Sequence, residues 1–362
     1  MSTRAIHRLS LLLALAAVNA FAAKPLFTEQ PIFTKGDRGF HTYRIPALLM
    51  TKKGSILAMC EARKNSGSDA GDIDLVQRRS NDGGVTWGPI QTIHDAGAKT
   101  VGNPCPVVDQ RTGTIWLPFS VDNKQILLCH STDDGATWSK PVDITKSALL
   151  PNWHWVGPGP GHGIQLRNGR LVIPAWAGLK KEVPFGGPQI SYVFYSDDGG
   201  KSWKVGGSGT PDMSDECEVV ELAPNTMYMT ARSRQGKRMR GYHFSSDGGN
   251  TWTRTKFDKR LPEPSCQGSI VRVSRKKGSG GRNRIVAAWP SKPTARTHIK
   301  VHLSYDECRT WPVSKVVYTG GGAYSDLGVN GRGEVLLAFE KDAYRTITVV
   351  RFNMAWLGGK EK

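Results

Sequence analysis

The chain has 362 residues, with 49 lysines and arginines against 31 aspartates and glutamates, a formal net charge of +18. A hydrophobic share of 38% with 22% charged residues excludes a disordered chain, and 41 glycines without a triplet period exclude collagen. No apolar run approaches the ~20 residues of a membrane-spanning helix. The positive charge invites a nucleic-acid reading only if the basic residues cluster, so their positions decide it.

Residues 1–23 read as a secretory leader. Arg4, His7 and Arg8 make a basic start, Leu9–Val18 an apolar stretch, and Ala20-Phe21-Ala22 a small-x-small signal for cleavage near Ala22/Ala23. A periplasmic or secreted product is expected. The six cysteines (Cys60, Cys105, Cys129, Cys217, Cys266 and Cys308) show no CxxC or Cys/His metal spacing. Buried free thiols are the plainest expectation for them in a chain this long.

A repeat organises the rest. The pattern Ser-x-Asp-x-Gly-x-Thr-Trp starts at 80 (SNDGGVTW), 131 (STDDGATW), 196 (SDDGGKSW, with Ser202 in the Thr place), 245 (SSDGGNTW) and 304 (SYDECRTW, with Cys308 in the Gly place). Within a copy the Asp accepts backbone N–H bonds in a turn, Gly supplies positive φ, and Trp packs inward. Strand-like runs precede and follow each copy. They are RIPALLM, SILAMCEAR and IDLVQRRS before the first; CPVVD, TIWLPFS and QILLCHS before the second; and HGIQL, RLVIPAW and SYVFYS before the third. CEVVEL, TMYMTAR and GYHFSS precede the fourth, and SIVRV, RIVAAW and IKVHLS the fifth; SDLGV, EVLLAFE and TITVVRF follow without a box. No segment has a convincing helical period. The predicted fold is all-β: a six-bladed β-propeller of four-stranded antiparallel blades, closed by the N-terminal strand LFTEQPIF, with residues 24–362 as one domain and no separate lectin domain.

Strand order then gathers the chemistry. The first strand of each propeller blade lines the channel and neighbours alternate direction, so first-strand starts, second-strand ends and two-to-three loops share one face, opposite the boxes. Arg44, Asn103, Glu216 and Tyr324 fall at first-strand starts, Arg63, Arg232 and Glu340 at second-strand ends, and Asp69 and Arg296 in two-to-three loops. Three arginines near a channel mouth make a site for a carboxylate through charge-assisted, partly bidentate hydrogen bonds. A single arginine in so basic a chain would be read as a surface charge; three that converge from distant positions are read as a site.

Several of these segments resemble sialidases. The repeats resemble their Asp boxes, which are shared with other propellers and speak for the fold. Tyr43-Arg44-Ile45-Pro46 resembles the (F/Y)RIP motif, and Ser68-Asp69-Ala70-Gly71-Asp72-Ile73-Asp74 the acid-bearing loop. Glu216 with Arg232 sixteen residues on, Arg296 before the last box, and Tyr324-Ser325-Asp326-Leu327 with Glu340 sixteen residues on are similar to the remaining motifs in order.

The resemblance implies removal of terminal sialic acid from sialylated glycans with retention, through a tyrosine nucleophile. Tyr324 would be that nucleophile and Glu216 its base. Asp69 would be the acid/base, with a pKa expected above that of a free aspartate. Arg44, Arg232 and Arg296 would clamp the carboxylate, Glu340 would orient Arg44, and Arg63 and Asn103 would meet the 4-hydroxyl and N-acetyl side. No metal or cofactor is called for, and a monomer is expected. Asp72, Asp74, Glu218 and Glu221 are read as solvated or structural acids. Trp153-His154-Trp155 is read equally as packing or as the aglycone side.

The alternatives are a trans-sialidase, a hydrolase of a related nonulosonic acid, and a propeller that only binds glycans. Nucleic-acid binding ranks last, because the densest basic stretch, RKKGSGGRNR at 275–284, is a glycine-rich hairpin tip without aromatics.

Overall fold

The computed structural model describes residues 23–183, 187–209, 213–276 and 281–358; the expected leader therefore lies almost wholly outside the described residues. The fold is an all-β propeller of antiparallel sheets arranged around a channel. The first sheet orders Thr42–Met50, Ile56–Arg63, Ile73–Ser80 and Gln91–His94 from the channel outward. The second is built on Ile115–Val121 and Gln125–Ser131, the third on Leu171–Gly178 and Gln189–Ser196. Their innermost strands are each broken in two, Val101–Gly102 with Val107–Val108 and His154–Pro158 with Ile164–Gln165. The fourth sheet orders Ser214–Ala223, Thr226–Ser233, Met239–Ser245 and Lys256–Pro262.

The remaining strands differ from the expected pair of separate blades. They form one seven-stranded sheet, so five hydrogen-bonded sheets stand where six were predicted. The cause is Val313–Val329, a 17-residue strand. Its first half pairs with Thr297–Ser304 up to Gly321, and its second half pairs with Val335–Lys341 from Gly322 onward. Phe27–Thr34 adds to the far edge against Thr346–Phe352.

Apolar residues alternate with the strand period and bury between neighbouring sheets. One such layer joins Ile56, Ala58 and Val76 of the first sheet to Leu336, Ala338 and Val349 of the seven-stranded sheet. The boxes close these joints. In the first, Gly84 N–H donates to Ser80 Oγ at 2.8 Å and Thr86 N–H to Asp82 Oδ1 at 3.0 Å. A Cβ on Gly84 would stand 2.5 Å from Leu336, so the bare glycine admits the neighbour's side chain. The fifth box keeps the turn despite Cys308: its N–H donates to Ser304 Oγ at 3.0 Å, with φ at 65°. Its side chain is buried with Val220, Tyr228 and Ile270, filling space that the other boxes leave to a neighbour. All six cysteines are free thiols and buried. No helix among the described residues is long and apolar enough to cross a membrane.

Candidate active site

A cavity of about 390 Å³ opens at one end of the channel, lined by Arg44, Arg63, Asp69, Asn103, Glu216, Arg232, Arg296 and Tyr324 among others. Eight of the nine residues singled out from the sequence thus meet there, and Glu340 stands directly behind Arg44. The wall also includes Glu61, Thr100, Asn123, Trp176, Asp215 and Arg234, which sequence reasoning missed. The strand period was a usable signal for two of them. Glu61 lies two residues before Arg63 and Arg234 two after Arg232, so each shares a face with a residue already placed.

Glu340 is fully buried, and its carboxylate takes Arg44 Nε at 2.9 Å and Nη2 at 3.2 Å. It also accepts the backbone N–H groups of Ile45 at 2.9 Å and Tyr324 at 3.1 Å. One buried acid therefore fixes both the arginine of the first sheet and the start of the tyrosine's strand half. Across the mouth, Arg232 Nη1 donates to Glu216 Oε2 at 2.6 Å and to the Tyr324 hydroxyl oxygen at 2.8 Å. The Tyr324 hydroxyl in turn donates to Glu216 Oε1. Arg44 and Arg296 flank the Tyr324 ring, their guanidinium carbons 5.3 and 5.5 Å from its centroid. Arg296 has weak polar contacts, to Ser265 O at 3.4 Å and Tyr344 OH at 3.5 Å, and among the described residues no carboxylate pairs with it. Its charge is directed at the cavity.

Burial pushes the Tyr324 phenol well above its ordinary pKa, and Glu216 adds to this, while Arg232 and Arg296 work against it. The phenol therefore stays protonated near neutrality. For Glu216, burial acts upward but Arg232 and the Tyr324 hydroxyl outweigh it and hold the carboxyl below its usual value. An ionised carboxylate hydrogen-bonded to a protonated phenol can accept the phenol's proton.

Asp69 corrects an expectation. Its side chain is 75% exposed on the loop between the second and third strands of the first sheet, and Oδ1 pairs with Arg63 Nη1 at 2.8 Å and Arg44 Nη1 at 2.9 Å. The partial desolvation it meets acts upward, but Arg63, Arg44 and then Arg296 outweigh it, so its pKa lies below that of an ordinary aspartate rather than above. The sequence placed Asp69 near arginines but not the loop conformation that lets two of them grip one oxygen.

Arg63 is also held by Glu61, from Nη2 at 2.6 Å and Nε at 3.1 Å, and Glu61 Oε1 accepts the Asn103 N–H at 3.1 Å. Asn103 sits in the left-handed region at φ 54°, its Nδ2 3.3 Å from Ser120 Oγ. Asp72 and Asp74 pair with Lys64 at 2.9 and 3.2 Å and close the base of the Asp69 loop. Glu218 is buried in the channel, accepting Ile270 N–H at 2.8 Å beside the His162–Asp326 pair, itself 2.8 Å apart. These three channel residues come from distant segments and carried no sequence signal as a group. Trp153 packs on Tyr192 at 4.7 Å between ring centroids, whereas Trp155 is half-buried and donates its indole N–H to Lys181 O at 2.8 Å.

An antiparallel propeller with box turns is the architecture of a BNR-repeat protein, and the family model described as BNR repeat-like domain matches residues 54–337. The exo-alpha-sialidase of Aspergillus fumigatus is 32% identical over 377 residues, covering 88% of this chain and 86% of that protein. The chain belongs to the sialidase family. It is 29% identical over 350 residues to the sialidase of Bacteroides fragilis, covering 87% of this chain and 63% of that one. Among solved structures, Hadza microbial sialidase Hz136 superposes with a TM-score of 0.82 at 27% identity, covering 91% of this chain and 69% of that one.

Proposed function

We propose that this protein is an exo-alpha-sialidase that releases terminal sialic acid from sialylated glycans with retention. The reading rests on one observation above all: Tyr324, Glu216 and Arg232 form a closed hydrogen-bonded set, with Arg44 and Arg296 on either side of the phenol. The three arginines would take the carboxylate of the sugar acid. Glu216 would accept the Tyr324 proton as the phenol oxygen bonds to the anomeric carbon, while Asp69 protonates the departing glycosidic oxygen. Water, deprotonated by Asp69, would then displace Tyr324, which recovers its proton from Glu216. A neutral phenol suits a carbon that already bears a carboxylate, because a second carboxylate would be repelled. Arg63 and Asn103 would meet the 4-hydroxyl and N-acetyl side, and Glu340 acts by holding Arg44.

The same reading takes residues 24–362 as one catalytic propeller, exported after removal of 1–23 and acting as a monomer. It counts the seven-stranded sheet as two blades that share Val313–Val329, giving six blades.

Release of free sialic acid from sialyl-lactoses of defined linkage tests the proposal, with the anomer first formed read by NMR. Retained configuration and free sugar acid are expected. Inversion rejects the tyrosine route, transfer to added lactose in place of water assigns a trans-sialidase, and no release from any linkage over mild pH rejects the hydrolase.

The Asp69 geometry gives a signed pH prediction. In the free site Arg44 and Arg63 hold its carboxyl low. A bound carboxylate would claim Arg44 and add a negative charge, so the Asp69 pKa rises in the complex. An acid that must be protonated loses activity as pH rises through its pKa. The alkaline limb of kcat, which reports the complex, is therefore expected at higher pH than that of kcat/KM, which reports the free enzyme. Parallel profiles of the two constants check this; a kcat limb at the same or lower pH rejects it.

A further inference from the structure

Arg44 and Tyr324 stand on inner strands of different sheets, Thr42–Met50 of the first and Val313–Val329 of the seven-stranded one, and no ladder joins these two strands. Each residue also falls where its own strand loses register with its ladder partner. The pairing of the first strand shifts between Arg44 and Ala47, with Ile45 at φ 60°, and that of the second shifts between Gly322 and Ser325. A bulged backbone aims a side chain only if something else fixes it.

Two buried carboxylates do so. Glu340 accepts Ile45 N–H at 2.9 Å and Tyr324 N–H at 3.1 Å. Three residues further along both strands, Asp326 accepts Leu48 N–H at 2.6 Å through Oδ2 and Leu327 N–H at 2.8 Å through Oδ1. Other joints of the channel wall are stitched more simply: Glu61 takes the Asn103 N–H at 3.1 Å and Glu218 the Ile270 N–H at 2.8 Å. Asp326 is also supported from the far side of the channel. His162, in the break of the third sheet's inner strand, brings Nδ1 to 2.8 Å from Asp326 Oδ1, and Glu218 Oε2 lies 3.9 Å from the same nitrogen. A carboxylate oxygen only accepts, so the histidine donates. Asp326 is fully buried and no part of the cavity wall, so a bound sugar does not touch it.

We infer that Asp326, steadied by His162, is a positioning residue for the reaction: with Glu340 it makes a two-point clamp that fixes how the Tyr324 strand sits against the Arg44 strand. The inference rests on the sialidase reading above. One point of attachment lets two strands pivot, whereas two points about 10 Å apart fix their angle. Without Asp326 the strands keep the Glu340 bonds and can turn about them. A turn of about 10° swings a phenol oxygen by about 1 Å, and a misplacement of that size can cost about 100-fold in rate.

Asp326→Leu on an aryl sialoside is the test. Aryl release in a single turnover reports attack by the phenol. Inhibition by the 2,3-dehydro analogue of the free sugar acid, which binds without being attacked, reports the arginines. Attack should fall about 10- to 100-fold while inhibitor affinity stays within about 3-fold. Asp326→Asn keeps an acceptor for Leu48 N–H and should recover most of the attack rate. His162→Leu, which leaves the carboxylate but removes its support, should fall between wild type and Asp326→Leu. Attack at the wild-type rate in Asp326→Leu, or equal losses of attack and inhibitor affinity, overturns the inference while the hydrolase stands. Should Asp326→Leu fail to fold, His162→Leu decides, and attack there at the wild-type rate overturns the inference. No aryl release by the wild-type protein overturns the sialidase reading itself.

Discussion

Tyr324→Phe should lower turnover on sialyl-lactose by more than about 100-fold while the fold and its melting temperature stay close to those of the wild type. The substitution removes one oxygen and nothing else. That oxygen is the acceptor for Arg232 Nη1 at 2.8 Å and the donor to Glu216, so its loss ends both nucleophilic attack and the proton exchange with the base. The ring remains, flanked by Arg44 and Arg296, and Tyr324 N–H still donates to Glu340 at 3.1 Å. Packing is therefore kept, and a large loss cannot be assigned to unfolding once circular dichroism and thermal melts are matched. A propeller that only binds glycans makes the opposite prediction, since binding through the arginines does not need the phenol oxygen. Unchanged function in this variant would remove the tyrosine mechanism.

The fold was legible because the chain repeats. Box residues such as Ser80, Asp82 and Thr86 make local bonds within a turn, and local bonds leave a local pattern. Cys308 breaks the pattern without breaking the turn, since a left-handed residue with a small buried side chain costs less than loss of the joint. The continuous strand Val313–Val329 was not legible. Gly320, Gly321 and Gly322 lie inside it, where its partner changes from Thr297–Ser304 to Val335–Lys341 and the register shifts on either side.

In the site, what strand order decides was legible: which residues reach the mouth. What depended on side-chain reach was not. The Asp69 pKa moved opposite to expectation because two guanidinium groups close on one oxygen of an exposed loop. Asp215 was not singled out; it is buried against the guanidinium groups of Arg234 at 2.5 Å and Arg232 at 3.8 Å, contacts that depend on side-chain reach.

Glu340→Ala should cost about 3–5 kcal/mol of folding stability and most of the activity, the signature of a broken buried ion pair. The acid is fully buried, Arg44 is 6% exposed, and four donors converge on the one carboxylate. Removing it strands a guanidinium charge and two backbone amides of Ile45 and Tyr324 in a site that water reaches poorly. Asp69 accepts from Arg44 Nη1 at 2.9 Å but stands 75% exposed, so it offers the stranded charge little compensation. Urea unfolding at constant m measures the stability loss, and kcat/KM measures the misplacement of Arg44. Adding Arg44→Met to Glu340→Ala separates the two effects. With the unpaired charge gone, much of the stability should return, because replacing both partners of a buried pair with apolar groups is often close to neutral. Activity should not return, since the clamp then lacks one of its three arginines. If Glu340→Ala alone leaves stability unchanged, Arg44 is not held by this acid, and the geometry that ties the arginine to the tyrosine strand is not what fixes the site.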